Sequence, residues 1–175
     1  HHFVDSALVT QACEDTSLPI GLQQTISKPS VVARMLGLLI DGATARAAGR
    51  LGRVLEIGTG CGYQTALLAQ LGTRVVSVGR LQALHAKARA HLDALGCRDV
   101  RLVWGDGRLG HAPNSPYDSI VAAAGGDDVP AAWIEDALTG DPDSRDAFAA
   151  SPTDTGLPGG MYRNQFWVPY ADRRV

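Results

Sequence analysis

The sequence lacks the features that mark several specialised classes of protein. It has only three cysteines, Cys13, Cys61 and Cys97, an odd number at wide spacing, so neither a disulfide framework nor a zinc site is indicated. We therefore expect no metal site and a cytoplasmic location, where thiols stay reduced. Basic residues are not in excess, since the formal net charge is −2, which argues against a nucleic-acid partner.

Long apolar runs are also missing. The nearest candidate for a membrane span, residues 31–40, contains Arg34 and is far shorter than the roughly 20 residues that cross a bilayer. The chain opens with no signal-peptide pattern, so we expect no membrane partner. What is present is an ordinary globular balance of 45% hydrophobic and 19% charged residues, enough for the core of one compact domain.

Strand and helix patterns alternate from residue 53 onwards. Buried strands are predicted at residues 53–58, 74–78, 100–104 and 117–122, and helices at 64–71, 81–95 and 129–138. This alternation predicts the α/β class, a doubly wound, mostly parallel sheet with helices on both faces. Ligands of such sheets bind beyond the carboxyl ends of the strands, at the switch point after the first strand.

The two ends of the chain have different patterns. The predicted elements are a helical entry segment at residues 3–17, a loop at 18–30, a helix at 31–39 with Pro29 in its first turn, and a connector at 43–52. We assign residues 1–138 to the core, of which 1–52 form an N-terminal segment, and 139–175 to an atypical tail of the same domain. The tail is rich in Asp, Pro, Gly, Ser and Thr up to about Pro158, typical of a loop or disordered segment, and then aromatic enough to dock on the core.

The strongest local signal is the glycine-rich segment Glu56–Tyr63, which follows a predicted strand and precedes a predicted helix. Gly58 and Gly60 allow a sharp turn and let a ligand approach the main chain, and Gly62 allows helix and strand to pack closely. Glu56 is costly to bury without a positive partner, which a ligand carrying an amino group and a sulfonium would supply. The spacing G-x-G-x-G after an acidic residue resembles motif I of class I methyltransferases. A glycine-rich turn without a ligand is the alternative.

Two further strand ends bear on cofactor binding. The second strand should end in an acidic residue that holds the two ribose hydroxyls, but Gly79 stands there and no neighbouring carboxylate replaces it. We expect weaker cofactor binding, by an interaction worth on the order of 1.5–3 kcal/mol, unless water or another residue substitutes. At the end of the third strand, Asp106 could reach an adenine amino group or be a plain turn residue. Asp118, at the start of the fourth strand, is interpreted as structural.

A narrower resemblance lies upstream, in Leu18–Pro29, where Gln24-Thr25-Ile26-Ser27 is followed by one residue and a proline. Further matching segments are Phe3-Val4, Ala12–Asp15, Gly58–Thr65, Gly105–Gly107, Pro116–Asp118 and Val129-Pro130. Together, over roughly residues 3–138, they resemble the protein-L-isoaspartate O-methyltransferase family.

The resemblance implies an activity and a site. The family transfers a methyl group from S-adenosyl-L-methionine to the α-carboxylate of L-isoaspartyl residues in damaged proteins or peptides, a repair reaction. It implies Ser27 and Thr25 as catalytic residues, with the Ser27 hydroxyl orienting the substrate carboxylate. The implied cofactor-binding residues are Glu56, Gly58, Thr59, Gly60, Gly62, Tyr63, Asp106 and Gly107. No general base is needed, because a carboxylate is already a nucleophile and a sulfonium a good leaving group, so proximity and alignment carry catalysis.

Other interpretations stay open. Ser27 could instead cap the helix that begins near Pro29. Gln23 stands where the family usually has glycine, and the strands expected after residue 138 do not follow in order, so the chain is truncated, carries a divergent tail or omits segments. The alternatives to a repair enzyme are a dedicated carboxyl methyltransferase for one peptide or small acid, and a non-catalytic relative that has lost cofactor affinity. Cys61 is interpreted as a packing residue, and His85, His91 and His111 as solvated.

Overall fold

The structure is a computed structural model, and it describes residues 1–125 and 129–137. The predictions for residues 139–175 therefore lie outside the described residues. Within the described ranges, no helix is both long and apolar enough to cross a lipid bilayer.

The N-terminal segment contains a short helix and a hairpin rather than one long helix. Only Ser6–Gln11 is helical, in a 3₁₀ conformation, and it buries none of its residues. The helix predicted over residues 3–17 is therefore limited to this short stretch, which has no buried face to stabilise a longer helix. Strands β1 (Leu18–Gly21) and β2 (Gln24–Ile26) follow as an antiparallel hairpin, where the sequence predicted a loop.

The turn of this hairpin explains why sequence reasoning missed it. Leu22 and Gln23 have positive φ angles of 54° and 58°, as tight two-residue hairpin turns demand, but neither is the glycine or asparagine that signals such a turn. Leu18 and Ile20 occupy alternate positions of β1 and both point into the core, with 6% and 4% of their surface exposed. The hairpin is therefore anchored by side chains, and it holds β2 in a fixed place on the body of the protein.

Two helices lead from the hairpin to the sheet. Helix α1 (Pro29–Ile40) begins with Pro29 in its first turn, as predicted. Helix α2 (Ala43–Ala48) lies where only a connector was predicted. Its sequence is rich in alanine, the strongest helix former, and it ends at Gly49 with a φ of 71°, a left-handed residue typical of helix ends.

A four-stranded parallel sheet forms the centre of the fold. Its strands are β3 (Arg53–Ile57), β4 (Arg74–Gly79), β5 (Val100–Trp104) and β6 (Ser119–Ala122), in the order β5-β4-β3-β6. Glu56 lies beside Ser77 on β4, and Ile57 lies beside Ala122 on β6. All three pairings are parallel, which confirms the predicted sheet.

Helices cover both faces of the sheet. They are α1, α3 (Tyr63–Leu71), α4 (Gln82–Ala94) and α5 (Ala131–Ala137). Neighbouring residues of one strand enter different clusters: Val54 packs with Met35 of α1 and Leu68 of α3, whereas Leu55 packs with Trp133 of α5. Burial on both faces is what long apolar strands in a parallel sheet require. The doubly wound α/β prediction is therefore confirmed.

Candidate active site

The loop between β3 and α3 has a backbone that glycine adopts most easily. Gly58, Gly60 and Gly62 have φ angles of 100°, 54° and 91°. A Cβ added to Gly58 would lie 3.0 Å from the amide nitrogen of Ala124. A Cβ on Gly62 would lie 3.3 Å from the Cβ of Ala88 in α4, so the close packing predicted for Gly62 is against a helix rather than a strand.

A cleft joins this loop to the hairpin. It encloses about 350 Å³ of empty space, part of it open to solvent. Its lining residues are Ile20, Thr25, Ile26, Ser27, Val32, Gly58, Thr59, Gly60, Cys61, Tyr63, Gln64 and Ala123. Six of these were predicted as site residues: Thr25, Ser27, Gly58, Thr59, Gly60 and Tyr63. The fold thus brings the two catalytic candidates and four of the cofactor-binding candidates together, although they come from separate parts of the chain.

Ser27 is half-buried in this cleft and does not cap α1. The residue at the cap position is Lys28, whose side chain makes no capping bond. The free amide of Ser30 in the first turn donates instead to Oδ1 of Asp15 at 2.8 Å. That hydrogen bond lowers the pKa of the Asp15 carboxyl. The capping interpretation of Ser27 is therefore wrong, since Asp15 supplies the acceptor and also ties the N-terminal segment to α1.

Glu56 lies beneath the glycine loop and is not among the residues that line the cleft. It is completely buried, and its Oε2 accepts hydrogen bonds from Thr65 Oγ1 at 2.5 Å and Ser77 Oγ at 2.6 Å. Burial raises the pKa of Glu56 to about 7, against the opposing effect of the hydrogen bonds from Ser77 and Thr65. Hydroxyl groups of the protein thus occupy one oxygen of the carboxyl predicted to face a charged ligand. The predicted contact between Glu56 and the cofactor stays a prediction.

Three buried polar atoms beside the loop lack a partner. They are Oε1 of Glu56 and both polar atoms of the Gln64 side-chain amide, none of which has a hydrogen-bond partner among the described residues. Gln64 lines the cleft although only 6% of its surface is exposed. An unpaired buried amide is costly, so this arrangement suits a polar ligand that enters the cleft. Sequence reasoning missed Gln64, and its position directly after Tyr63 in the glycine-rich segment was the available signal.

The ends of β4 and β5 continue the site along the edge of the sheet. A Cβ on Gly79 would lie 3.0 Å from Oγ1 of Thr59, so the side chain of Thr59 packs against this strand end. Asp106 follows β5, and its Oδ1 accepts from the amide of Arg108 at 3.0 Å. That bond lowers the pKa of Asp106, and the Arg108 guanidinium lies 3.3 Å from its Oδ2. Asp106 thus has a turn role in this structure, and its contact with adenine stays a prediction.

Gly107 is buried by packing rather than exposed to the cleft. A Cβ there would collide with the side chain of Ile57. The carbonyl of Gly107 accepts a 2.7 Å hydrogen bond from the indole of Trp133 in α5. The structure therefore gives Gly107 a packing role, and cofactor contact by this residue is a prediction only.

The remaining single candidates have structural surroundings. Cys61 is 2% exposed and packs with Ile20, as predicted, and burial raises the pKa of its thiol. Asp118 accepts from the amide of Arg53 at 2.7 Å, which confirms its structural interpretation. The histidines are not simply solvated, because His91 Nδ1 lies 2.9 Å from the carbonyl of Cys61, His111 Nε2 lies 3.0 Å from Oδ1 of Asn114, and Nδ1 of His85 is buried.

Comparison with known proteins decides the family. A sequence model of the protein-L-isoaspartate(D-aspartate) O-methyltransferase (PCMT) family matches residues 1–141. The chain belongs to this family. It is 62% identical over 135 residues to a protein-L-isoaspartate O-methyltransferase of Methylibium petroleiphilum, covering 77% of this chain and 49% of the relative. It is 60% identical over 136 residues to that of Leptothrix cholodnii, covering 77% and 47%.

Solved structures agree with this family and fold. A protein-L-isoaspartate O-methyltransferase superposes with a TM-score of 0.67 at 30% identity, over 77% of this chain and 43% of that one. The precorrin-6y C5,15-methyltransferase of Geobacter metallireducens superposes with a TM-score of 0.55 at 19% identity, over 66% and 60%, and shows the shared fold alone. The chain spans about half the length of the curated family members that it matches.

Proposed function

We propose that this chain transfers a methyl group from S-adenosyl-L-methionine to the α-carboxylate of L-isoaspartyl residues in damaged proteins or peptides. The observation that carries the proposal is the shared cleft, in which Thr25 and Ser27 of the hairpin segment face the same space as Gly58 and Gly60 of the glycine loop. The activity in the names of the similar family members supports the same assignment.

The residues around the loop fit this cofactor. When bound, S-adenosyl-L-methionine supplies a methyl group on a positively charged sulfonium, which is a good leaving group. Gly58 and Gly60 allow close approach to the main chain, since they carry no side chains. The Gln64 amide, which has no partner in the part of the chain that the structure describes, offers both a donor and an acceptor, as the amino-acid end of the cofactor requires. The buried carboxyl of Glu56 nearby favours a positive charge.

Ser27 acts on the other reactant. Its hydroxyl donates a hydrogen bond to one oxygen of the substrate carboxylate and so orients the second oxygen for attack. Thr25, an exposed residue of β2, assists at the rim of the cleft. The apolar side chains of Ile20, Ile26 and Val32 exclude water from the walls. Holding two reactants in line is a sufficient source of catalysis for a reaction with a ready nucleophile.

The chemical character of the cleft agrees with a reaction that needs no general base. No Asp, Glu, His or Lys of the described residues lines it. Its two weakly acidic groups are Cys61 and Tyr63, and burial raises the pKa of both. They therefore remain neutral near pH 7, and the cleft presents hydroxyl, amide and main-chain groups to the substrate.

The proposed partners are isoaspartyl-containing proteins or peptides, with no nucleic acid and no membrane. The net charge of −2 gives no electrostatic reason for nucleic-acid binding. We place the protein in the cytoplasm, because all three of its cysteines are free thiols.

The activity is tested with radiolabelled S-adenosyl-L-methionine and two peptides that differ only in an isoaspartyl or a normal aspartyl linkage. We expect base-labile label on the isoaspartyl peptide alone. Label on a small acid or on one particular peptide sequence would instead indicate a dedicated carboxyl methyltransferase. Absence of both label and cofactor binding would indicate a non-catalytic relative, the alternative that Gly79 favours because it removes the acid expected at the ribose.

A further inference from the structure

A buried chain of hydroxyl groups connects Glu56 to the cleft. Thr65 Oγ1 and Ser77 Oγ both donate to Oε2 of Glu56, at 2.5 Å and 2.6 Å. Ser77 Oγ in turn lies 2.7 Å from Oγ1 of Thr59. Of these four residues, Thr59 is the one that lines the cleft. The donor-to-acceptor direction of these hydrogen bonds therefore decides whether Thr59 offers a ligand a donor or an acceptor.

Counting protons fixes that direction above about pH 7, where Glu56 is ionised. A hydroxyl has one proton and two lone pairs, and an ionised carboxylate can only accept. The proton of Ser77 is used in its bond to Glu56. The 2.7 Å bond between Ser77 and Thr59 therefore takes its proton from Thr59. Thr59 has no proton left to give, so its oxygen meets a ligand as an acceptor.

The position of this acceptor matches the place of the missing acid. A Cβ on Gly79 would lie 3.0 Å from Oγ1 and 3.1 Å from Cβ of Thr59. Thr59 therefore lies directly beside the end of β4, where an acidic side chain takes the ribose hydroxyls in doubly wound nucleotide-binding sheets. The carboxylate at the end of the next strand, Asp106, is turned to the amide and guanidinium of Arg108.

We propose that Oγ1 of Thr59 accepts a hydrogen bond from a ribose hydroxyl of the cofactor, in the role that an acid at position 79 would have. This inference rests on the proposed use of S-adenosyl-L-methionine. Ser77 and Glu56 act behind Thr59 as positioning residues, because they hold its proton away from the cleft. The protein thereby presents an uncharged acceptor to the ribose. This acceptor binds the ribose less tightly than a carboxylate would, but it retains the preference for a ribose over a deoxyribose.

The test measures binding by titration calorimetry, without turnover. The ligands are S-adenosylhomocysteine and its 2′,3′-dideoxy analogue, and the pH is about 8.5, where Glu56 is ionised because its pKa is about 7. Thr59→Val keeps the shape of the side chain but removes the acceptor. We expect it to weaken binding of S-adenosylhomocysteine about fivefold to tenfold, the equivalent of one neutral hydrogen bond, and to leave binding of the dideoxy analogue unchanged. Thr59→Ser, which keeps the hydroxyl, is the matched control and should bind both ligands as the parent chain does.

The outcomes separate this inference from the proposed function. Equal loss of affinity for both ligands in Thr59→Val, or no loss for either, overturns the role of Thr59 at the ribose. If the unsubstituted protein binds the dideoxy analogue as tightly as S-adenosylhomocysteine, the role of Thr59 at the ribose is also overturned. This part of the test does not depend on the folding of a variant. Parent chain that binds neither ligand overturns the proposed function, and this inference with it.

Discussion

Oε2 of Glu56 accepts a 2.6 Å hydrogen bond from Ser77 on the neighbouring strand, while Oε1 of the same carboxyl has no partner among the described residues. A completely buried carboxyl group with hydrogen bonds to only one of its oxygens lowers the stability of the ligand-free protein. Its cost depends on whether the group carries a charge, which makes stability depend on pH in a definite direction.

We predict that the contribution of Glu56 to the free energy of unfolding falls as the pH rises from about 4.5 to about 7. Burial raises the pKa of Glu56 from 4.5 to about 7, so the folded chain keeps a proton that the unfolded chain loses in this window. The stabilisation is fully present below pH 4.5 and is lost as the pH passes 7. Its size is on the order of 3 kcal/mol.

Urea denaturation between pH 4.5 and pH 8 checks this prediction. Glu56→Gln should remove this component of the pH dependence, while Glu14→Gln is the control for loss of one exposed carboxylate. Parallel pH profiles for the parent chain and Glu56→Gln would contradict the assignment of the raised pKa to Glu56.

Ser27→Ala should lower turnover on an isoaspartyl peptide by about tenfold to a hundredfold and leave the dissociation constant of S-adenosylhomocysteine unchanged. The hydroxyl lost is a single hydrogen bond to a charged group, which is worth about 1.5–3 kcal/mol. Single-turnover kinetics and calorimetry give the two values. Ser30→Ala is a suitable control, because Ser30 follows closely in the chain but lies outside the cleft lining. Unchanged turnover in Ser27→Ala would remove Ser27 from catalysis.

The sheet and the glycine loop could be predicted from the sequence because their signals are local. The apolar run that contains Val54 and Leu55 fits a strand buried on both faces, and the glycines at 58, 60 and 62 supply positive φ angles where a sharp turn needs them. The segment around Ser27 was assigned to the site only by resemblance to a family, since nothing local shows that it lines the same cleft as the loop.

The rest depended on tertiary contacts that no local pattern contains. Asp15 caps α1 from outside the helix, so a search for a cap immediately before Pro29 favoured Ser27 instead. The partners of Glu56 lie 9 and 21 residues away in the chain, so its burial among hydroxyls could not be seen. The hairpin was missed because Leu22 and Gln23 adopt a glycine-like backbone without being glycine.

Gln23→Gly should stabilise the protein, because Gln23 has a φ of 58° and a side chain disfavours that conformation. The left-handed backbone costs a residue with a Cβ about 1–2 kcal/mol, and glycine regains most of this after a loss of about 0.5–1 kcal/mol in chain entropy. We expect a gain of about 0.5–1 kcal/mol in the free energy of unfolding, measured by urea denaturation. Gln24→Gly, in the adjacent strand, should be destabilising. A loss of stability in Gln23→Gly would show that the glutamine side chain compensates for its backbone.

Substitutions at Gly79 should separate a steric effect from an electrostatic one. A Cβ there presses on Thr59 at 3.0 Å, so Gly79→Ala should weaken cofactor binding slightly. Gly79→Glu adds the same Cβ and a carboxylate for the ribose hydroxyls, and it should bind S-adenosylhomocysteine about tenfold to a hundredfold more tightly than Gly79→Ala. Calorimetry on both variants gives the comparison. Equal dissociation constants for the two would show that an acid at this strand end does not reach the ribose.

Gln64→Leu should exchange function for stability. The Gln64 amide is buried and neither of its polar atoms has a partner among the described residues, so an apolar side chain of similar size should raise the free energy of unfolding by about 1 kcal/mol or more. The same change removes a donor and an acceptor from the cleft, so affinity for S-adenosylhomocysteine should fall about tenfold. Gln70→Leu is the matched control, since Gln70 lies on the same helix but is exposed, and it should change neither quantity much. Lower stability with intact binding in Gln64→Leu would mean that water rather than a ligand satisfies the amide, and the cleft would then lose its main polar contact with the cofactor.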